Sequence, residues 1–129
     1  MEQRQERILI VEDDRTLGCL LKSSVERVGY AVEIKSSGTE ALAEVAEHRP
    51  DLVILDLKLP DMSGYDVCRA LRRLYTRWDV PILILTGMDK PIDELRGFAH
   101  GADAYLTKPY ELNELLKTIA LLLGQVAAN

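Results

Sequence analysis

The sequence predicts an α/β domain in which a doubly wound, five-stranded parallel sheet carries helices on both faces. Three observations predict it. Short aliphatic runs recur along the chain, at residues 8 to 11 (ILIV), 31 to 34 (AVEI), 52 to 55 (LVIL), 82 to 85 (ILIL) and 104 to 107 (AYLT). Between them lie segments whose apolar residues repeat at helical spacing. Residues suited to helix ends stand where the two patterns meet.

In order, the first run leads to a helix from Leu17 to Val28, with Asp14 as N-cap and Gly29 at its end. Its apolar stripe is expected to comprise Leu17, Leu20, Leu21, Val25 and Val28, with Cys19 opposite. The second run leads to a helix from Thr39 to Glu47, capped by Ser37. The third leads to a helix from Tyr65 to Leu74, in which Cys68 is expected to pack. The fourth leads to a helix from Ile92 to Ala99, with Pro91 in its first turn and Gly101 closing it. A last helix runs from Leu112 to Val126. Each parallel connection needs a crossover, so strands alternating with helices imply a parallel sheet. The first, third and fourth strands are continuously apolar, as strands covered on both faces are, whereas Glu33 and Lys35 interrupt the second and the fifth is short and mixed. The second and fifth are therefore edges. With right-handed crossovers the order is 2-1-3-4-5, the flavodoxin-like arrangement.

A chain of 129 residues is expected to form one domain spanning 1–129. Apolar residues at 47% and charged residues at 29% are ordinary for a globular domain and argue against disorder. With no apolar run near the ~20 residues of a membrane span and no secretory leader in MEQRQER, no membrane role and a cytoplasmic location are expected. The net charge of -5 disfavours direct nucleic-acid binding, and Arg69, Arg72, Arg73 and Arg77 read as a solvated helix face. Cys19 and Cys68 lack metal-ligand or redox spacing and read as free thiols.

In open α/β sheets ligands bind beyond the carboxyl ends of the strands, where successive crossovers diverge. Here that point lies between the first and third strands. Glu12 and Asp13 follow the first strand, Asp56 ends the third, Thr86 ends the fourth and Lys108 follows the fifth. Taken singly, the threonine reads as β-propensity and the lysine as surface; their shared location gives them meaning. Carboxylates held about 4 Å apart repel by ~4 kcal/mol at an effective dielectric of ~20, so the cluster calls for a cation. Hard oxygen ligands suit Mg²⁺ or Mn²⁺, and a magnesium site with few carboxylates commonly serves a phosphate. A cation, an ammonium, a hydroxyl and a carboxylate together suit phosphoryl transfer to an Asp nucleophile. Asp14, as a cap, has no metal role.

The segments ILIVEDD, PDLVILDLKLPDMSGYDVCRALR, VPILILTG and GADAYLTKPYELNELL, in this order and spacing, resemble the receiver domain of bacterial two-component response regulators from Ile8 to about Leu123. The resemblance implies that Asp56 is the phosphoacceptor, with a histidine kinase or histidine phosphotransfer protein as donor. It implies that Glu12, Asp13, Asp56 and the Lys58 backbone carbonyl hold Mg²⁺, and that Thr86 and Lys108 contact the phosphoryl group. It makes Tyr105 the aromatic switch whose ring moves inward as Thr86 moves, and Pro109 the site of a cis peptide. The readout would be the surface of helix four, strand five and helix five, which contacts an output domain or protein target and suits a homodimer. Catalysis would be confined to the domain's own phosphorylation and slow dephosphorylation. Lys58 and Met88 occupy positions that tune phosphoryl lifetime in that family. The alternative is a phosphorylation-independent interaction module, against which the intact Asp56, Thr86 and Lys108 speak. A cofactor-binding flavodoxin relative is disfavoured because EDDRTL sets acids where a phosphate cradle needs glycine. After KTIALLLGQVAAN the sequence shows no output segment, which fits either a stand-alone receiver or part of a larger regulator.

Overall fold

The computed structural model describes residues 4–124. Its strands are β1 (Arg7–Val11), β2 (Ala31–Lys35), β3 (Leu52–Leu55), β4 (Ile82–Thr86) and β5 (Ala104–Thr107). The helices α1 (Arg15–Glu26), α2 (Gly38–Glu47), α3 (Gly64–Leu74), α4 (Pro91–Ala99) and α5 (Leu112–Leu122) connect them in strict alternation. All pairings between these five strands are parallel and their order is β2-β1-β3-β4-β5, as the edge assignments require. Among the described residues no helix is long and apolar enough to cross a membrane.

Side chains alternate across a strand, so each apolar run divides between two cores. Ile8 and Ile10, Leu52 and Ile54, and Leu83 and Leu85 face one layer, where Leu21 and Val25 of α1 and Leu115 and Ile119 of α5 pack. Leu9 and Val11, Val53 and Leu55, and Ile82 and Ile84 face the other, against Ala41 and Val45 of α2 and Val67, Cys68 and Leu71 of α3. Truncating a leucine in either layer is expected to remove about 2–5 kcal/mol. Every residue of β2 is only half-buried, which is what an edge with Glu33 and Lys35 should show.

Three expectations need correction. The inward arc of α1 is Gly18, Leu21 and Val25, whereas Leu17, Leu20 and Val28 are exposed at 41%, 60% and 52%. Gly18 faces Ile34 of β2, so the arc that meets the sheet is centred on Gly18, Leu21 and Val25, and the leucines at 17 and 20 fall outside it. The helix stops at Glu26, and Gly29 follows with φ 107°. Arg72 leaves the solvated arginine face: its guanidinium donates to the Gly101 and Val80 carbonyls at 2.8 and 2.7 Å and to Asp103 at 2.6 Å. Three acceptors from two loops satisfy the fork that burial would otherwise strand. Finally, α5 ends at Leu122, ahead of Gly124 at φ 69°, and the expected extension to residues 125 and 126 lies outside the described residues. Cys19 is exposed and Cys68 buried, as the periodicity indicates.

Candidate phosphoacceptor site

Strand register assembles the site. Val11 lies opposite Leu55, so the next residues, Glu12 and Asp56, emerge side by side at the carboxyl end of the sheet. The Asp56 amide donates to the Val11 carbonyl at 3.0 Å, which extends the ladder one residue beyond β3. Thr86 lies opposite Thr107, and the Lys108 amide donates to the Thr86 carbonyl at 2.8 Å. Lys108 thereby stands at the same sheet end, next to a cis peptide at Pro109.

Glu12, Asp13, Asp56 and Lys108 meet at this end of the sheet. The Lys108 ammonium donates to Glu12 Oε1 at 2.5 Å and to Asp56 Oδ2 at 2.9 Å. Asp56 Oδ1 accepts from the Lys58 amide at 3.2 Å, and Glu12 Oε2 from the Asp14 amide at 3.1 Å. Glu12, Asp13 and Asp56 can each present an oxygen such that all three lie within 4.8 Å of one another. Glu12 and Asp56 are buried and Asp13 is exposed, so the cluster has a covered floor and an open rim. Asp14 instead accepts from the Leu17 amide at 3.0 Å as the N-cap of α1.

Charge and burial act together here. Burial, with the neighbouring Asp56 charge, pushes the Glu12 carboxyl above its usual range despite its hydrogen bonds to Lys108 and the Asp14 amide. Burial alone would favour a neutral Lys108; hydrogen bonds to Glu12 and Asp56 overcome it and raise the ammonium's pKa. Three carboxylates against one ammonium leave negative charge uncompensated. All-oxygen ligands with one open, exposed member fit a hard divalent cation that keeps water ligands.

Thr86 is fully buried, and its Oγ1 lies 3.4 Å from the Met88 amide. The Met88 carbonyl accepts from the Tyr105 hydroxyl at 2.6 Å, so one residue of the β4–α4 loop links the threonine to the tyrosine. The Tyr105 ring packs inward on the core layer beside Gly97 of α4. A Cβ at Gly97 would come within 3.1 Å of that ring and 2.9 Å of Ile84, so the glycine makes the room it occupies.

Strand-end reasoning found neither Gly64 nor Asp61. A Cβ at Gly64 would run into the Asp56 carbonyl and the Leu57 backbone, so α3 begins directly behind the acidic cluster. Asp61 accepts from the Gly38 and Thr39 amides at 2.9 and 2.8 Å and from the Thr39 hydroxyl, tying the loop after Asp56 to the start of α2. These bonds hold its carboxyl down at about 2. The turn signal of Pro60 and the glycine in MSG marked a loop and a helix start, but neither names a partner over 20 residues away.

The family model for the response regulator receiver domain matches residues 8–120. The response regulator MprA of Mycobacterium sp. (strain KMS) is 45% identical over 121 residues, covering 94% of this chain and 52% of that protein. The chain thus spans about half the length of the curated relatives it matches. Among solved structures, a CheY-like response regulator receiver domain protein from Methanospirillum hungatei JF-1 superposes with a TM-score of 0.89 at 32% identity, covering 95% of this chain and 96% of that one. The BeF3-activated N-terminal receiver domain of RstA from Klebsiella pneumoniae gives 0.86 at 31%, covering 92% and 98%. The fold and the acidic cluster agree with these matches, and the chain belongs to the response regulator receiver domains, the phosphoacceptor switches of two-component signalling.

Proposed function

We propose that Asp56 is the phosphoacceptor of this receiver domain. One carboxylate oxygen attacks the phosphorus of a phosphohistidine on a histidine kinase or phosphotransfer protein. The P–O bond forms as the P–N bond breaks, and the imidazole leaves with the bonding pair and takes up a proton. The observation that supports this reading is the Lys108 ammonium bridging Glu12 and Asp56 beside Asp13, at the carboxyl ends of β1, β3 and β5.

Each residue has a part in that step. Glu12, Asp13, Asp56 and the Lys58 carbonyl would hold Mg²⁺, which when bound offsets the charge of the incoming phosphoryl oxygens and of the acids. Lys108 exchanges a carboxylate oxygen for a phosphoryl oxygen, a charge-assisted bond in both states. Thr86 offers its hydroxyl to the same group. That draws on the Met88 backbone and so on Tyr105, whose inward ring reports the change on the surface of α4, β5 and α5. Ile92 and Leu95 stand exposed on α4, and this face would meet an output domain, a protein target or a second copy. The domain would work in the cytoplasm and catalyse only its own phosphorylation and slow dephosphorylation. Lys58 and Met88, flanking the site, would set the phosphoryl lifetime.

Incubation with acetyl phosphate and Mg²⁺, followed by intact-mass measurement, should add one phosphoryl group to the parent chain and none to Asp56→Asn. No addition to the parent, with a partner kinase supplied as well, would overturn the assignment.

A further inference from the structure

The N-terminal end of α4 is held from two sides. From β5, the Tyr105 hydroxyl donates to the Met88 carbonyl at 2.6 Å. From α3, the Tyr65 hydroxyl donates to the Asp93 carbonyl at 3.0 Å. The two acceptors flank Lys90, the N-cap of α4, where the Asp93 carboxylate in turn accepts from the Lys90 amide at 3.2 Å. Two phenols on different elements therefore grip the backbone just before and just inside the first turn of the helix.

Tyr65 is also well placed with respect to Asp56. It follows Gly64, whose amide donates to the Leu57 carbonyl at 2.8 Å and whose Cα abuts the Asp56 backbone. Its amide is fixed by the Ser63 cap at 3.1 Å, and its ring rests on the His100 imidazole at a centroid distance of 5.4 Å, beyond the far end of α4. The side chain thus touches both the first turn of α4, through its hydroxyl, and the C-cap His100, through its ring. In a regular helix the Asp93 carbonyl already serves the amide four residues on, so the phenol takes its second lone pair. A bond of that kind is strong enough to bias the position of a helix and weak enough to be given up when the helix shifts.

We propose that Tyr65 is a positioning residue of the switch: its hydroxyl steadies α4 in the same arrangement that the inward Tyr105 stabilises, so α3 as well as β5 sets the balance between the two states. This rests on the reading of Asp56 as phosphoacceptor and Tyr105 as switch. An arrangement with Tyr105 inward is the one a phosphoryl group favours, and lowering its population weakens the apparent affinity for a phosphoryl mimic in proportion.

Tyr65→Phe keeps the ring and removes only the donor. With the full chain and Mg²⁺, its affinity for beryllium trifluoride should fall about three- to fivefold, the effect of losing one net hydrogen bond. Amide exchange across residues 91–97 should accelerate by a similar factor, while affinity for Mg²⁺ alone stays unchanged. Unchanged exchange, or an unchanged or tighter affinity for the mimic, overturns the proposal. So does a loss seen with Tyr65→Leu but absent in Tyr65→Phe, which would reduce the residue to packing. If the mimic binds the parent and Asp56→Asn alike, the phosphoacceptor reading fails instead, and the exchange measurement still reports on the Tyr65 bond.

Discussion

Lys108→Met removes the cation that, among the described residues, contacts the acidic cluster. The ammonium contacts Glu12 and Asp56 at 2.5 and 2.9 Å, and its side chain is only 20% exposed. Methionine retains an unbranched stem beside Leu85 and Pro109, so the main change is charge. At an effective dielectric of ~20, unit charges ~4 Å apart attract by ~4 kcal/mol, so the two contacts contribute several kcal/mol before desolvation. Withdrawing the ammonium from water takes back part of this, and breaking a buried ion pair typically leaves a net loss of ~3–5 kcal/mol. Partial exposure puts Lys108 at the lower end, about 3 kcal/mol. Urea unfolding in the presence of a chelator should show that loss. Isothermal titration should show the opposite sign for Mg²⁺: without an internal competitor for the same oxygens, affinity rises about tenfold for each ~1.4 kcal/mol no longer opposed. Saturating Mg²⁺ should then restore much of the lost stability through linkage. A variant as stable as its parent without divalent ions, or one binding Mg²⁺ more weakly, would refute the idea that ammonium and metal share these carboxylates.

Three further outcomes follow from the geometry. Gly64→Ala drives a methyl group into the Asp56 carbonyl and the Leu57 backbone, neither of which can rotate away, so urea unfolding should show a loss of about 1–3 kcal/mol. The Asp61 carboxyl, held at about 2 against an ordinary 3.8, stabilises the fold fully above pH 3.8 and loses that contribution as pH falls through about 2. Asp61→Asn should flatten that part of the acid-denaturation profile, and an unchanged profile would disprove the tie between Asp61 and α2. Burial pushes the Cys68 thiol up to about 11, and its Sγ lies 3.3 Å from the His100 carbonyl, whereas Cys19 is exposed. Iodoacetamide at pH 8 should therefore modify one thiol quickly and the second only in urea, as mass spectrometry with peptide mapping can verify.

What the sequence determined by itself was whatever depends on short-range periodicity. Alternating apolar runs and amphipathic segments specified five strands and five helices, and polar interruptions in the second and fifth runs marked the edges. Strand order then followed from edges and crossover handedness, and with it the meeting of Glu12, Asp13, Asp56 and Lys108, with Thr86 at the end of the neighbouring strand. A parallel sheet aligns strand ends, so residues at those ends become neighbours whatever their separation in the chain. The tertiary structure alone decided which contacts form away from the strand ends. The arc of α1 that meets the sheet is Gly18, Leu21 and Val25, and Arg72 left the solvated face because Gly101, Val80 and Asp103 offered acceptors on loops distant in sequence. Asp61 found its partners at the start of α2, and the Tyr65 hydroxyl found the backbone of α4. Such bonds depend on the distance between packed layers and on the reach of one side chain. Both are set only when the whole sheet and its helices have closed around the core.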